Sequence, residues 1–207
     1  MHNKIYPYAG FWRRVAAALI DSLIIAIPFL LVAGLLLASL IPATLSVTSA
    51  ASAAGTEATL PPELAASWNW RMSFLQLLVF LVNWLYFACM ESGPHQATWG
   101  KRLLGIKVVG ADGKRISFAR ATGRRFASYV SAILLDFGFF MAGFTKKRQA
   151  LHDLMADTYV VQKEYQSAEP LPELPFNKGG LIASILVLVS PIILLVLLGI
   201  LAAIVGS

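Results

Sequence analysis

Three long apolar runs leave this chain little choice but to fold in a lipid bilayer. The first extends from Val15 to about Ile41, the second from about Met72 to Met90, and the third from about Leu181 to Val205. A helix rises about 1.5 Å per residue, so ~20 apolar residues cross a hydrocarbon core of ~30 Å. The first run would reach roughly 40 Å, and Pro28 inside it implies a tilt or a kink. It also exceeds the apolar stretch of ~7–15 residues in a secretory signal, so it is expected to be a retained span. Pro191 interrupts the third run.

Composition agrees. Charged residues make up 14% of the 207, against about 25% in soluble domains, and 57% are apolar. That argues against a disordered chain, a nucleic-acid module and a conventional soluble enzyme. The excess of 17 Lys+Arg over 11 Asp+Glu reads as cytoplasmic loops facing anionic lipid. Cys89 is the single cysteine and the three histidines are scattered, so neither an internal disulfide nor a metal site is expected, and no cofactor is implied.

Loop charge orients the spans. The N-terminus carries Lys4, Arg13 and Arg14 and is placed in the cytoplasm. The 42–71 loop is rich in Ala, Ser, Thr and Pro and has Arg71 against Glu57 and Glu63, so it is placed outside. The 91–125 segment carries eight Lys or Arg residues and is placed inside. A weaker apolar run, Phe126 to Phe144, contains Asp136, Gly138 and Gly143, and the basic triplet Lys146-Lys147-Arg148 follows it. If that run crossed, the triplet would lie outside.

Two strand signals favour a return to the same side. Ile106 to Val109, a turn at Asp112-Gly113, and Arg115 to Phe118 read as a hairpin. Thr158 to Gln162 reads as a third strand that would steady it. The expected fold is therefore an all-α integral membrane protein: a small bundle of three full spans plus a re-entrant or interfacial hairpin, with a small cytoplasmic β-hairpin. The alternative is four spans. Residues 1–165 form the membrane domain, 166–179 a linker, and 180–207 an additional C-terminal transmembrane helix, whose Gly199, Ala203 and Gly206 form a stripe suited to helix packing or homo-oligomerisation.

Ionisable residues inside such a bundle are costly, at least about 2.5–3.5 kcal/mol each on insertion scales. Asp21 lies about two turns into the first span and Arg14 seven residues before it, on the same helix face. Asp21 needs a partner or water: a buried pair that fixes packing, or a carboxylate for protons or cations. Asp136 is a second candidate for an ion pathway. Asp153, next to His152, would lie on the same side as Arg14 in the re-entrant arrangement, where a salt bridge would tie the C-terminal half to the first span.

Three stretches resemble a known family. Tyr8-Ala9-Gly10-Phe11-Trp12-Arg13-Arg14-Val15-Ala16-Ala17, followed by Ile20-Asp21, is similar to the opening of RDD-family membrane proteins. Thr98 to Val108, with Gly100 and Lys101, resembles their central motif. Arg148 to Asp153, including His152, resembles their closing motif. The likeness covers about residues 8–162 and maps the arginine and two aspartates of the family name onto Arg14, Asp21 and Asp153. It implies a location in the bacterial inner membrane and a transport-like role, with sodium–proton exchange proposed for some members. The long outer loop and the span beyond Val161 depart from that pattern.

Two functions follow. In the first, a homo-oligomeric carrier exchanges protons for monovalent cations, with Asp21 titrating and Arg14 and Asp153 forming a latch. In the second, a non-transporting adaptor binds anionic lipid or a partner protein through its basic face. Nothing resembling a nucleophile–base set supports an enzyme.

Overall fold

The structure, a computed structural model, describes residues 7–133, 137–166 and 172–186. It divides into two compact units, Ile20–Tyr86 and a second made of Met1–Leu19 with Phe87–Ser207. Two helices run through both: α1, Phe11–Ala38, and α3, Pro62–Ser92. Both are long and apolar enough to cross a membrane, and only 11% of the most apolar window of each is buried. Leu23, Leu30, Leu31 and Leu35 on α1 and Phe74 and Leu77 on α3 are exposed. A core helix of a water-soluble protein would hide such side chains; hydrocarbon is the surrounding that makes their exposure favourable. Positions 178–186, which lead into and open the third apolar run, are helical. The rest of that expected span, with Pro191 and the Gly199–Ala203–Gly206 stripe, lies outside the described residues.

Much of the expected 42–71 loop is helical. Helix α2 spans Ile41–Ala54, and α3 begins at Pro62 rather than near Met72. Alanine supplies helix propensity. The hydroxyls of Thr44 and Thr48 donate back to the carbonyls of Leu40 and Thr44, at 3.2 and 3.1 Å, so these residues do not break the helix. Gly55, at φ 65°, ends α2 in a left-handed turn, with its amide and that of Thr56 donating to Ser52 and Ala51. Arg71 donates to the Leu36 carbonyl at 2.6 Å and the Ser39 hydroxyl at 2.7 Å, satisfying the end of α1.

In the other unit, a short helix α4, Trp99–Leu103, leads into strand β1, Ile106–Gly110. The expected local hairpin does not form. Strand β1 pairs antiparallel with β2, Thr158–Gln162, with Val108 opposite Val160. Two local features defeat the hairpin. The amide of Gly110 donates to the Lys114 carbonyl at 2.9 Å, closing a tight turn. The Ser117 hydroxyl then accepts from the Arg120 amide at 3.2 Å and starts helix α5, Phe118–Ile133, so Arg115 to Phe118 cannot extend as a strand. Strand β2 is flanked on its other edge by an isolated bridge from Tyr8 to Val161. This explains why Thr158, Tyr159, Val160 and Val161 are all buried.

The 126–144 run contributes three described elements. Beyond α5 come α6, Phe137–Phe140, and a 3₁₀ turn, Met141–Gly143. A Cβ built on Gly138 would fall 2.8 Å from the Cβ atoms of both Ser131 and Leu151. Gly138 on α6 thus lies in close contact with Ser131 on α5 and Leu151 on α7. Helix α7, Leu151–Met155, packs against both α5 and α6. Gly138→Ala should therefore cost about 1–3 kcal/mol through overpacking. Thermal unfolding in detergent checks this, and a variant as stable as the parent would show that α6 can shift away freely. Asp136 itself lies outside the described residues.

Candidate functional site

Five charged side chains meet in the unit that contains both strands. Arg14 projects from the first turn of α1, Glu91 from the end of α3, Lys101 from α4, Arg124 from α5 and Asp153 from α7. They form one alternating chain. Lys101 pairs with Glu91 Oε1. Arg124 Nη1 donates to Glu91 Oε2 at 2.5 Å. The same guanidinium donates through Nη2 to Asp153 Oδ1 at 2.6 Å and through Nε at 3.0 Å. Arg14 Nη1 donates to Asp153 Oδ2 at 2.6 Å. Glu91 is 1% exposed and Asp153 0%, so Arg124 joins two carboxylates that water cannot solvate.

Local structure puts each group in place. The Thr98 hydroxyl accepts from the Lys101 amide at 3.4 Å, capping α4 and directing Lys101 inward. Gly100, also buried, accepts from the Leu104 amide at 3.2 Å. Asp153 Oδ2 accepts from the Ala150 amide at 3.1 Å, so the carboxylate that binds Arg14 also closes the first turn of α7. The Thr158 hydroxyl donates to the Asp153 carbonyl at 3.4 Å. Arg14 reaches further, donating to the carbonyls of Ala9 and Val160 at 3.3 and 3.4 Å. One arginine thus ties α1, α7 and β2 together.

Electrostatics outside the spanning helices follow from burial and these contacts. Burial alone would raise the Asp153 carboxyl, but the adjoining guanidiniums, Arg124 above all, outweigh it and hold the group well below the usual carboxylate range. For Arg124, burial is again the largest influence and opposes the charge; Glu91 and Asp153 overcome it and strengthen the guanidinium's hold on its proton. His152 goes the other way. Burial pushes it down to about 3, with Arg124, Lys101 and Arg14 adding to the fall and Asp153 resisting it. Its Nε2 lies 3.4 Å from Asp153 Oδ1, yet a neutral imidazole makes no ion pair at pH 7. Its Nδ1 is buried and has no hydrogen-bond partner among the described residues.

Asp21 belongs to the Ile20–Tyr86 unit. It is 0% exposed and accepts a hydrogen bond from the Tyr86 hydroxyl at 2.7 Å. Of the residues singled out in the sequence, Arg14 and Asp153 are thus in direct contact, with His152 alongside and Lys101 joined to Asp153 through two intervening residues, Glu91 and Arg124. Sequence reasoning missed Glu91 and Arg124. Glu91 was hidden at the end of an apolar run, and Arg124 among the other basic residues of 91–125. The only local signal was a carboxylate, Glu91, at the end of an apolar helix; Arg124, inside α5 and beside Arg125, carried none.

The RDD family profile matches residues 8–157. Two Bacillus subtilis (strain 168) proteins are similar over most of their lengths. The uncharacterized protein YxaI is 32% identical over 160 residues, covering 75% of this chain and 97% of its own. The uncharacterized protein YckC is 27% identical over 162 residues, covering 76% of this chain and 86% of its own. No solved structure matches the chain.

Proposed function

The chain belongs to the RDD family, and with that as premise we propose that it is a multi-pass protein of a bacterial inner membrane that exchanges protons for monovalent cations through Asp21. The observation that carries the reading is the fully buried Asp21 carboxylate, held by the Tyr86 hydroxyl on helices whose other surfaces are apolar and exposed. An ionisable group at such a place is costly, and its usual return is a proton or ion pathway. A carboxyl group beside a phenol can release its proton to become a carboxylate that takes a cation, then give up the cation and regain a proton on the other side. The tyrosine orients the oxygen that does this. Two described spans make a thin wall, so the working form is an oligomer. The N-terminus is cytoplasmic, and exposed Lys114, Arg115 and Arg120 face anionic lipid. Asp136 is a second candidate for the same pathway. No bond is made or broken in a substrate, so the protein is not an enzyme.

A second reading has its own observation. Arg14, Arg124, Asp153 and Glu91 are paired with one another, which suits a rigid scaffold for a lipid- or protein-binding adaptor.

Proton flux separates the two. The purified chain in phosphatidylcholine vesicles, with a pH-reporting dye inside, is challenged with sodium, lithium or potassium. Cation-driven flux is expected, abolished in Asp21→Asn and reduced in Tyr86→Phe, with both variants folded. Folded parent protein giving no flux with any of the three cations would remove the exchanger and leave the adaptor.

A further inference from the structure

We propose that the cavity beside the first turn of α1 binds the phosphodiester headgroup of an anionic phospholipid, with Arg148 as the cation that recognises it. The cavity is about 320 Å³, a size suited to a headgroup and its glycerol rather than to whole acyl chains. Its walls are two-sided in character: Phe11, Phe140 and Leu174 supply an apolar face, and Arg148 and Asn177 a polar one. Trp12, also on its rim, is 68% exposed. It stands where a helix apolar enough to cross a membrane begins, the depth at which tryptophan rings anchor proteins among headgroups.

Charge points to an anion. The neighbouring network holds three cations, Lys101, Arg124 and Arg14, against two carboxylates, Glu91 and Asp153. Arg148 lies close enough to Arg14 for their charges to oppose each other, and among the described residues no carboxylate pairs with it. One arm of its guanidinium donates to the Gly143 carbonyl, which Asn177 Nδ2 also contacts at 3.1 Å. That fixes the head while leaving its other donors for a ligand. The backbone of Arg148 sits at φ 51°, a left-handed conformation that is unfavourable for a non-glycine residue. A guanidinium held there against both strain and repulsion fits a site completed by a phosphate. This inference needs the chain to sit in a membrane but does not rest on ion exchange.

The full chain, purified in neutral detergent, is titrated with phosphatidylglycerol and separately with phosphatidylcholine, and bound lipids are counted by native mass spectrometry. One phosphatidylglycerol should be retained at concentrations where phosphatidylcholine is not. Arg148→Gln should weaken that binding about tenfold, the worth of a charge-assisted hydrogen bond. Lys146→Gln, at an exposed side chain off the cavity lining, should bind as the parent does. Ala183→Phe fills the cavity without altering charge and should displace the lipid too, so the test survives if Arg148→Gln does not fold. Unchanged binding in folded Arg148→Gln, or equal retention of the two lipids, would overturn the proposal. So would displacement of the lipid by an equal concentration of inorganic phosphate, which would mark a free-anion site. A change of oligomeric mass in Ala183→Phe with lipid count unaltered would also overturn it, in favour of a second copy as the occupant.

Discussion

Arg124→Met is expected to destabilise the chain by about 3–5 kcal/mol, more than any other single substitution considered for this protein. The guanidinium makes three hydrogen bonds to two carboxylates, and both carboxylates are buried. Removing it leaves Glu91 with Lys101 and Asp153 with Arg14, and strips the middle link from the alternating chain. The penalty arises because two buried carboxylates are each left with a single cation and lose the three hydrogen bonds that Arg124 gave them, with no water to replace them. Arg124→Met combined with Glu91→Gln should therefore recover part of the loss. Thermal unfolding in detergent measures both, with exposed Arg120→Met as the comparison, expected within about 0.5 kcal/mol of the parent. If Arg124→Met unfolds together with Arg120→Met, the network does not hold the five elements together.

That network marks the boundary of what the residues announce in advance. The two apolar helices were legible because ~20 consecutive apolar side chains have one favourable surrounding, whatever the tertiary contacts. The Arg14–Asp153 pair was legible as a consequence of placing both ends of the membrane domain on one side. The strand pairing was half legible. Ile106 to Val109 and Thr158 to Gln162 were recognised as strands, but the tight turn after Gly110 and the Ser117 cap gave the intervening residues to α5. A local turn signal such as Asp112-Gly113 says that the chain bends, not that the following segment pairs. Within the 42–71 segment, rich in Ala, Ser, Thr and Pro, the helix α2 was not legible, because the hydroxyls of Thr44 and Thr48 satisfy carbonyls one turn back rather than breaking the chain. Glu91 and Arg124 were illegible for a different reason. Nothing local separates an arginine that will be buried between two carboxylates from neighbours such as Arg120 that face outward. The distinction exists only after α5, α7 and the end of α3 have met.

Acidification from pH 7 to pH 5 is expected to cost the folded chain about 2 kcal/mol through His152 alone. In the unfolded chain an imidazole takes up its proton near pH 6.5. In the folded chain burial, then the charges of Arg124, Lys101 and Arg14, depress that value to about 3. Between those limits the unfolded state binds one more proton than the folded state, so stability rises with pH and is lost on going down, at up to about 1.4 kcal/mol per pH unit. Asp153 works in a separate window. Its carboxyl is also depressed in the folded state, so its contribution is present above the ordinary carboxylate value of about 4 and falls away only below it. A denaturation series at pH 7, 6 and 5 therefore isolates the imidazole. His152→Leu keeps an apolar side chain in contact range of Phe139, whose ring centre lies 5.0 Å from the imidazole, removes the unsatisfied Nδ1 and cannot titrate. It should flatten the slope over that range while leaving the Arg14–Asp153–Arg124 contacts in place. A slope in His152→Leu as steep as the parent's would mean that some other group carries the proton, and that the imidazole is not held neutral by its burial and the cations around it.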